Sequence, residues 1–277
     1  MPTPRVLNLI GRGDRAEFVL AADFPATGRT VAGFGDLFAG PARPWTVWET
    51  AAPPAPGTGE EHVDRWLAEA AGLGAPVGAV LGFCVGAVYA AALAEDLSAA
   101  QGGRVPLLVF DPERPDANLL HRHYAAVIEG LAPAFDPAAL AAARNAGDLA
   151  LRTQGADLSV LADVLVGLLA EHGGPALRRS GLDERRTAEL LGTFTAFLAY
   201  LTAAAELDPA PAWSRATAFS SASPLNGLNV LSAAMRAATV RSERRFPVGH
   251  EDFLRDAAVA AATHGLLEHG FDGEEER

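Results

Sequence analysis

Apolar and polar positions change their spacing several times along this chain, and each change marks an element. Val6-Leu7-Asn8-Leu9-Ile10 is a short apolar run ended by Gly11-Arg12-Gly13-Asp14, and Glu17 to Ala22 follows at hairpin distance, so two early strands are predicted. A loop from Asp23 to Gly35 leads to a short helical stretch through Phe38, and Trp45-Thr46-Val47-Trp48-Glu49 reads as a third strand. Glu60 to Ala71 places Val63, Trp66, Leu67 and Ala70 at helical spacing. Gly78 to Leu93 then reads as a buried strand, a tight turn and a buried helix, and Val105 to Phe110 as the next buried strand, ended by Asp111-Pro112.

Strands alternating with helices argue for a mostly parallel sheet covered on both faces. The alternation then stops. From Asn118 to Leu207 the pattern is almost wholly helical, clearest over Asp157 to Glu171 and Glu184 to Leu207. An all-helical insertion between two strands reads as a lid over the mouth of the sheet. Strand character resumes from Ala212-Trp213 to Phe219, Ser220 to Asn229 is a polar loop, and Val240 to Phe246 is the last strand, ended by Pro247-Val248-Gly249-His250. A closing helix is expected from Glu251 to His269. The expected division is an α/β core over 1–117 and 208–270, a helical lid over 118–207 and a disordered acidic tail over 271–277.

Composition narrows the classes. The 277 residues, 49% of them hydrophobic, suffice for one α/β domain with an insertion. A net charge of -12 disfavours nucleic acid or an anionic membrane as partner. The uncharged stretch from Gly72 to Ala94 has the length of a membrane span, but glycine and alanine supply much of it and no basic flank anchors it. A single cysteine excludes an internal disulfide framework and, with no basic-then-apolar amino terminus, points to a cytoplasmic protein. The seven histidines show no zinc-like spacing, so no metal site is expected; His121-Arg122-His123 reads as a solvated helix face. No lysine occurs, which excludes a lysine base or Schiff base.

Chemistry concentrates at Gly82-Phe83-Cys84-Val85-Gly86. Two glycines flank the cysteine where a strand must reverse into a helix, the crowding that residues without a Cβ fit. Such a turn puts the Cys84 side chain over the first free amides of the helix, where thiolate and oxyanion are favoured. The competing reading is a buried structural cysteine. A nucleophilic cysteine needs a base and an acid that orients it. Asp111, directly after a strand, and His250, between the last strand and the last helix, would lie at the same carboxyl edge of the sheet. As alternatives, Asp111 caps a turn before Pro112 and His250 caps the final helix.

With these residues in place the chain resembles the thioesterase family of α/β-hydrolases that act on carrier-bound chains in nonribosomal peptide and polyketide synthesis, with cysteine for the usual serine. The resemblance rests on the elbow, on Leu107-Leu108-Val109-Phe110-Asp111, on the helical insertion and on Gly249-His250-Glu251-Asp252-Phe253-Leu254. It implies an α/β-hydrolase fold and a Cys84–His250–Asp111 triad. Family members place the acid after either of two strands, and here no carboxylate occurs between Asp208 and Glu243. The resemblance further implies an oxyanion hole from the Val85 amide and one in the Ala22–Gly28 loop, at Phe24 or Asp23. No bound cofactor is implied, since phosphopantetheine arrives with the substrate.

The implied partner is an acyl- or peptidyl-carrier protein bearing a small acyl or aminoacyl group. A cysteine nucleophile exchanges one thioester for another, so the acyl group stays activated for transfer to a thiol, an amine or a hydroxyl. Hydrolytic release or editing is the alternative within the family. A non-catalytic acyl- or partner-binding module is the alternative outside it, and would leave Cys84 unreactive to alkylating agents. Carrier proteins are usually acidic, so docking is expected at Arg178, Arg179, Arg185, Arg186, Arg241, Arg244 and Arg245, although all seven also fit ordinary solvated helix ends. Phe194, Phe197 and Tyr200 either line an apolar channel or belong to the core.

Overall fold

A computed structural model describes residues 5–25, 30–40, 44–53 and 56–271. Seven strands occur among them: β1 (Leu7–Gly11), β2 (Phe18–Ala22), β3 (Thr46–Thr50), β4 (Val77–Phe83), β5 (Leu107–Phe110), β6 (Thr217–Ser220) and β7 (Ser242–Arg245). They form one sheet in the order β1-β3-β2-β4-β5-β6-β7, parallel except for β1, which runs antiparallel to β3. The first two strands therefore do not form the hairpin that their spacing suggested. Every residue of β2 is buried, which suits an interior strand covered on both faces, whereas β1 is partly exposed and takes the edge. The stretch weighed as a membrane span is β4 and the start of the helix after it, in the middle of the sheet.

Helices connect the strands. α1 (Phe34–Leu37) is a single turn, and α2 (Gly59–Ala71) starts on a Thr58–Glu61 capping box and buries Val63, Trp66 and Ala70. α3 (Gly86–Gln101) follows the elbow and buries residues all round its first turns. The described residues separate into two compact units. Thr58–Arg114, with the described residues before 54 and after 206, makes the first, and Pro115–Glu206 the core of the second.

The second unit is all helical: α4 (Ala117–Gly130), α5 (Pro137–Gln154), α6 (Leu158–Leu168), α7 (Gly174–Arg179) and α8 (Glu184–Ala204). Asp116, Asp136, Asp157 and Asp183 each cap a helix by accepting backbone N–H groups of its first turn. A π-helical turn, Leu169–Gly173, separates α6 from α7. Phe194 and Tyr200 are core residues of this unit. His121 and His123 are half-buried between helices rather than solvated: His121 pairs with Asp148 at 3.0 Å and the His123 ring packs edge-on against Phe197. Leu158–Arg179 and Glu184–Ala204 have the length and composition of membrane spans, a weak indication that core helices share.

The first unit resumes with α9 (Ala210–Trp213), α10 (Ala233–Thr239) and α11 (Ala257–His269). Two expectations are corrected here. Ala212-Trp213 is helical, not strand: Pro211 sits in the first turn and Trp213 Nε1 donates to Ala87 O at 3.0 Å, so β6 starts at Thr217. The closing helix starts late because His250–Arg255 is a 3₁₀ turn and Asp256 caps α11 on the Ala258 and Val259 amides. Helix α10 was not legible as one, being seven residues with none buried. From 272 on, the expected acidic tail lies outside the described residues, as does the Ala22–Gly28 loop from 26.

Candidate active site

The site is built where adjacent parallel strands end. Asp23 follows β2, Cys84 follows β4, Asp111 follows β5 and Ser221 follows β6, while His250 comes five residues after β7. The strands end in register, with Ala22 opposite Gly82, Phe83 opposite Phe110, and Phe110 opposite Phe219. Carboxyl ends of parallel strands are where open α/β sheets bind ligands.

Cys84 occupies the left-handed region, with φ of 52°, and its N–H donates to Phe110 O at 2.9 Å. The chain reverses there into α3, and both flanking glycines are required. A Cβ on Gly82 would lie 2.5 Å from Ala87 Cα, and one on Gly86 would lie 2.1 Å from Ala22 O. Both obstacles are backbone and cannot give way as a flexible side chain does. Gly86→Ala should therefore destabilise by about 3 kcal/mol or more, a fall in Tm of about 6 °C or more. Gly103→Ala, with nothing within 4 Å of the added carbon, is the control and should stay within about 0.5 kcal/mol of the parent. Thermal unfolding of the pair checks this.

Asp111 is also left-handed, with φ of 42°, and is completely buried. Its Oδ1 accepts the Ser221 N–H at 2.8 Å and its Oδ2 lies 2.7 Å from His250 Nδ1. His250 is held from two more directions: its N–H donates to Ser223 Oγ at 2.8 Å, and its ring stacks on Phe83 at 4.8 Å between centroids. Asn229 ties this loop together, its Nδ2 donating to the Ser221 and Ser223 carbonyls at 2.9 and 3.0 Å. With Nδ1 committed to Asp111, Nε2 is the imidazole nitrogen left for proton transfer.

Glu113 is a residue that sequence reasoning missed. Its backbone N–H donates to Cys84 O at 3.2 Å, and its Oε2 accepts from Cys84 Sγ at 3.9 Å. The side chain is 7% exposed. In the sequence it is only an acid in a Pro-Glu-Arg loop; the left-handed Asp111 turns the chain so that it faces the sulfur.

These surroundings reverse one expectation. Burial pushes the Cys84 thiol well up, the Glu113 carboxylate adds to this, and Asp23 and Asp111 act in the same direction; the Val85 N–H opposes them. The resting sulfur is therefore a thiol, not the thiolate that helix amides alone would favour. Slow alkylation at neutral pH consequently does not mark Cys84 as inert. The rate of iodoacetamide labelling should rise with a midpoint above that of an ordinary thiol, about 8.5. Glu113→Gln removes a negative charge that disfavours the thiolate and should move the midpoint down; a midpoint unchanged in that variant would show that Glu113 does not bear on the sulfur.

The oxyanion candidates differ. The Val85 N–H is directed at the sulfur. The Phe24 N–H donates to Asp23 Oδ1 at 2.7 Å, so it reaches an oxyanion only when that carboxylate turns away. Asp23 is itself held, its N–H donating to Thr50 Oγ1 and its carbonyl accepting from the same hydroxyl.

Of the candidate docking arginines, Arg178, Arg179, Arg185 and Arg186 are exposed in the helical unit. Arg179 donates to Ala134 O and Arg185 pairs with Glu189 one turn on. Arg241, Arg244 and Arg245 are exposed around β7 in the other unit, Arg241 donating to Phe271 O and Arg245 to Asn229 Oδ1. Among the described residues no group of three or more His, Cys, Asp or Glu side chains is placed to hold a metal ion.

The sequence matches no protein-family model and no curated protein. Solved structures do match. The four-domain nonribosomal peptide synthetase AB3403, bound to AMP and glycine, aligns with a TM-score of 0.56 at 16% identity, over 96% of this chain and 20% of that one. The chain thus spans about a fifth of the synthetase. The Vlm2 thioesterase domain bound with a dodecadepsipeptide aligns with a TM-score of 0.53 at 18% identity, over 95% of this chain and 97% of that one. The enol-lactonase from Burkholderia xenovorans LB400 aligns with a TM-score of 0.52 at 14% identity, over 95% of each. At such identities the likeness is one of fold. A mostly parallel seven-stranded sheet flanked by helices, an all-helical insertion after β5 and these three structures together make the chain an α/β-hydrolase-fold protein.

Proposed function

We propose that the protein is a thioesterase-like enzyme whose Cys84 takes an acyl or aminoacyl group from a carrier-protein thioester and passes it to an acceptor thiol, amine or hydroxyl. The observation that carries the reading is the Asp111–His250 hydrogen bond at the carboxyl end of the same sheet on which Cys84 sits, left-handed, at a strand-to-helix turn. A setting in peptide biosynthesis is supported by the likeness to a nonribosomal peptide synthetase and to a thioesterase domain bound with a dodecadepsipeptide. A free thiol nucleophile suits a reducing, cytoplasmic compartment.

His250 takes the thiol proton through Nε2 while Asp111 holds the Nδ1–H and steadies the imidazolium. The sulfur attacks the thioester carbon, and the Val85 N–H is the proposed donor to the developing oxyanion. Collapse of the adduct breaks the bond to the phosphopantetheine sulfur, which leaves as a thiolate and takes from His250 the proton that came from Cys84. Because the product is again a thioester, the group remains activated for a second acceptor.

Intact mass of the protein after incubation with acyl- and aminoacyl-carrier thioesters tests this. A Cys84-dependent adduct discharged faster by a second carrier thiol than by water is the expected result. Free acid without an adduct would replace transfer by hydrolysis, and neither adduct nor turnover would leave a binding module. The seven arginines are the proposed carrier-docking positions, and charge reversal at Arg241, Arg244 and Arg245 should raise KM for the carrier-bound donor.

A further inference from the structure

Glu113 has no part in the chemistry just described, and for a plain acyl donor it is a liability, because a carboxylate in contact with the sulfur opposes thiolate formation. Its position is nevertheless fixed. The backbone hydrogen bond to Cys84 O anchors it, and the two residues before it are Asp111, itself held by His250 and Ser221, and Pro112. We propose that Glu113 is the specificity-determining residue of this site and holds the ammonium group of an α-aminoacyl thioester, selecting aminoacyl donors over acyl groups that lack the charge. The inference rests on Cys84 being the acyl acceptor.

The distances close. Bond lengths within an amino acid put the amino nitrogen about 2.5 Å from the carbonyl carbon. At the point of attack that carbon stands about 3–3.5 Å from the nucleophile. Glu113 Oε2 lies 3.9 Å from Sγ, so one donor pose brings the ammonium to the carboxylate at about 2.8 Å while the carbonyl faces the sulfur. Asp23 and Asp111 are the other acids near the sulfur, but Asp23 Oδ1 accepts the Phe24 N–H and Asp111 is held by Ser221 and His250, and the carboxylate in contact with Sγ is that of Glu113.

Pairing also removes the obstacle to reaction. Once the ammonium neutralises Glu113, Cys84 gives its proton to His250 more readily. The sulfur then bonds to the carbonyl carbon, the bond from that carbon to the carrier's sulfur breaks, and the departing sulfur takes the proton from His250. One thioester is lost and one is formed, with no oxidant and no further reactant. A donor without the amino group meets a thiol still opposed by its neighbour.

The test uses matched donors on one phosphopantetheinylated carrier protein: glycyl with acetyl, alanyl with propionyl, and leucyl with 4-methylpentanoyl. The initial rate of Cys84 labelling is read by intact mass for the parent, Glu113→Gln and Glu113→Asp. The parent should label faster with the aminoacyl member of a pair, and Glu113→Gln should shrink that ratio by about 10- to 100-fold, the loss expected for one charged hydrogen bond. Glu113→Asp should keep part of it. Each ratio is internal to one preparation, so incomplete folding of a variant cancels. Equal labelling by both members in the parent, or a ratio that survives Glu113→Gln, overturns the proposal and leaves the acyl-enzyme standing. Absence of labelling by every donor removes the acyl-enzyme and this proposal with it.

Discussion

Replacing Cys84 by alanine should abolish the acyl adduct and lower turnover of carrier-bound donors by at least about 10³-fold, the scale on which loss of a nucleophile is felt. Sγ is the atom that Glu113 and the Val85 N–H both address. Alanine keeps the small Cβ in the left-handed turn and removes only the reacting atom, so the fold has little reason to change. Serine at the same position separates two kinds of enzyme. An oxygen ester lies downhill from a thioester, so Cys84→Ser should still load but should lose discharge to a second thiol, leaving slow hydrolysis. Intact mass followed over time, with and without an acceptor carrier, reads both effects. If the alanine variant turns over donors at the parent rate, Cys84 is not the nucleophile.

Asp111→Asn should lower kcat by about 10²- to 10⁴-fold while the Tm hardly moves. Asparagine tolerates the left-handed backbone at φ of 42° and can still accept the Ser221 N–H. Opposite His250 Nδ1, however, it presents an N–H where the carboxylate presents an acceptor. The imidazole then places its own proton on Nε2, and the nitrogen meant to receive the thiol proton can no longer do so. The burden on His250 is heavy here because the resting sulfur is a thiol. Steady-state kinetics beside thermal unfolding separates loss of function from loss of fold, and a kcat within tenfold of the parent would detach the dyad from the chemistry.

Much of the sheet was legible because the buried parallel strands β2, β4 and β5 leave continuous apolar runs, while β7, Ser-Glu-Arg-Arg, was anticipated only within a longer segment. The proposed nucleophile, acid and base, Cys84, Asp111 and His250, stood out because each comes shortly after a strand. What the sequence hid follows from tertiary contacts. Strand order depends on which runs are covered on both faces, and so β2, not β1, lies inside. Trp213 looked like the start of a strand until its indole N–H met the Ala87 carbonyl across the unit. Glu113 was hidden most thoroughly, since nothing in Asp-Pro-Glu-Arg announces that a left-handed aspartate will bring the glutamate back to the cysteine.

Those two left-handed residues, Cys84 and Asp111, stand side by side at the ends of neighbouring strands, joined by the hydrogen bond from Cys84 N to Phe110 O. Each non-glycine residue so held costs about 1–2 kcal/mol, against a total stability of about 5–15 kcal/mol for a folded protein. At Asp111 the hydrogen bonds to Ser221 and His250 offset that cost, whereas Cys84 holds its left-handed turn with no such compensation from a strong side-chain hydrogen bond. The residue on which the proposed acyl transfer depends most directly, Cys84, is thus one that selection for heat resistance alone would exchange for glycine, and a thermostable variant selected without an activity screen should drift toward an inert α/β scaffold.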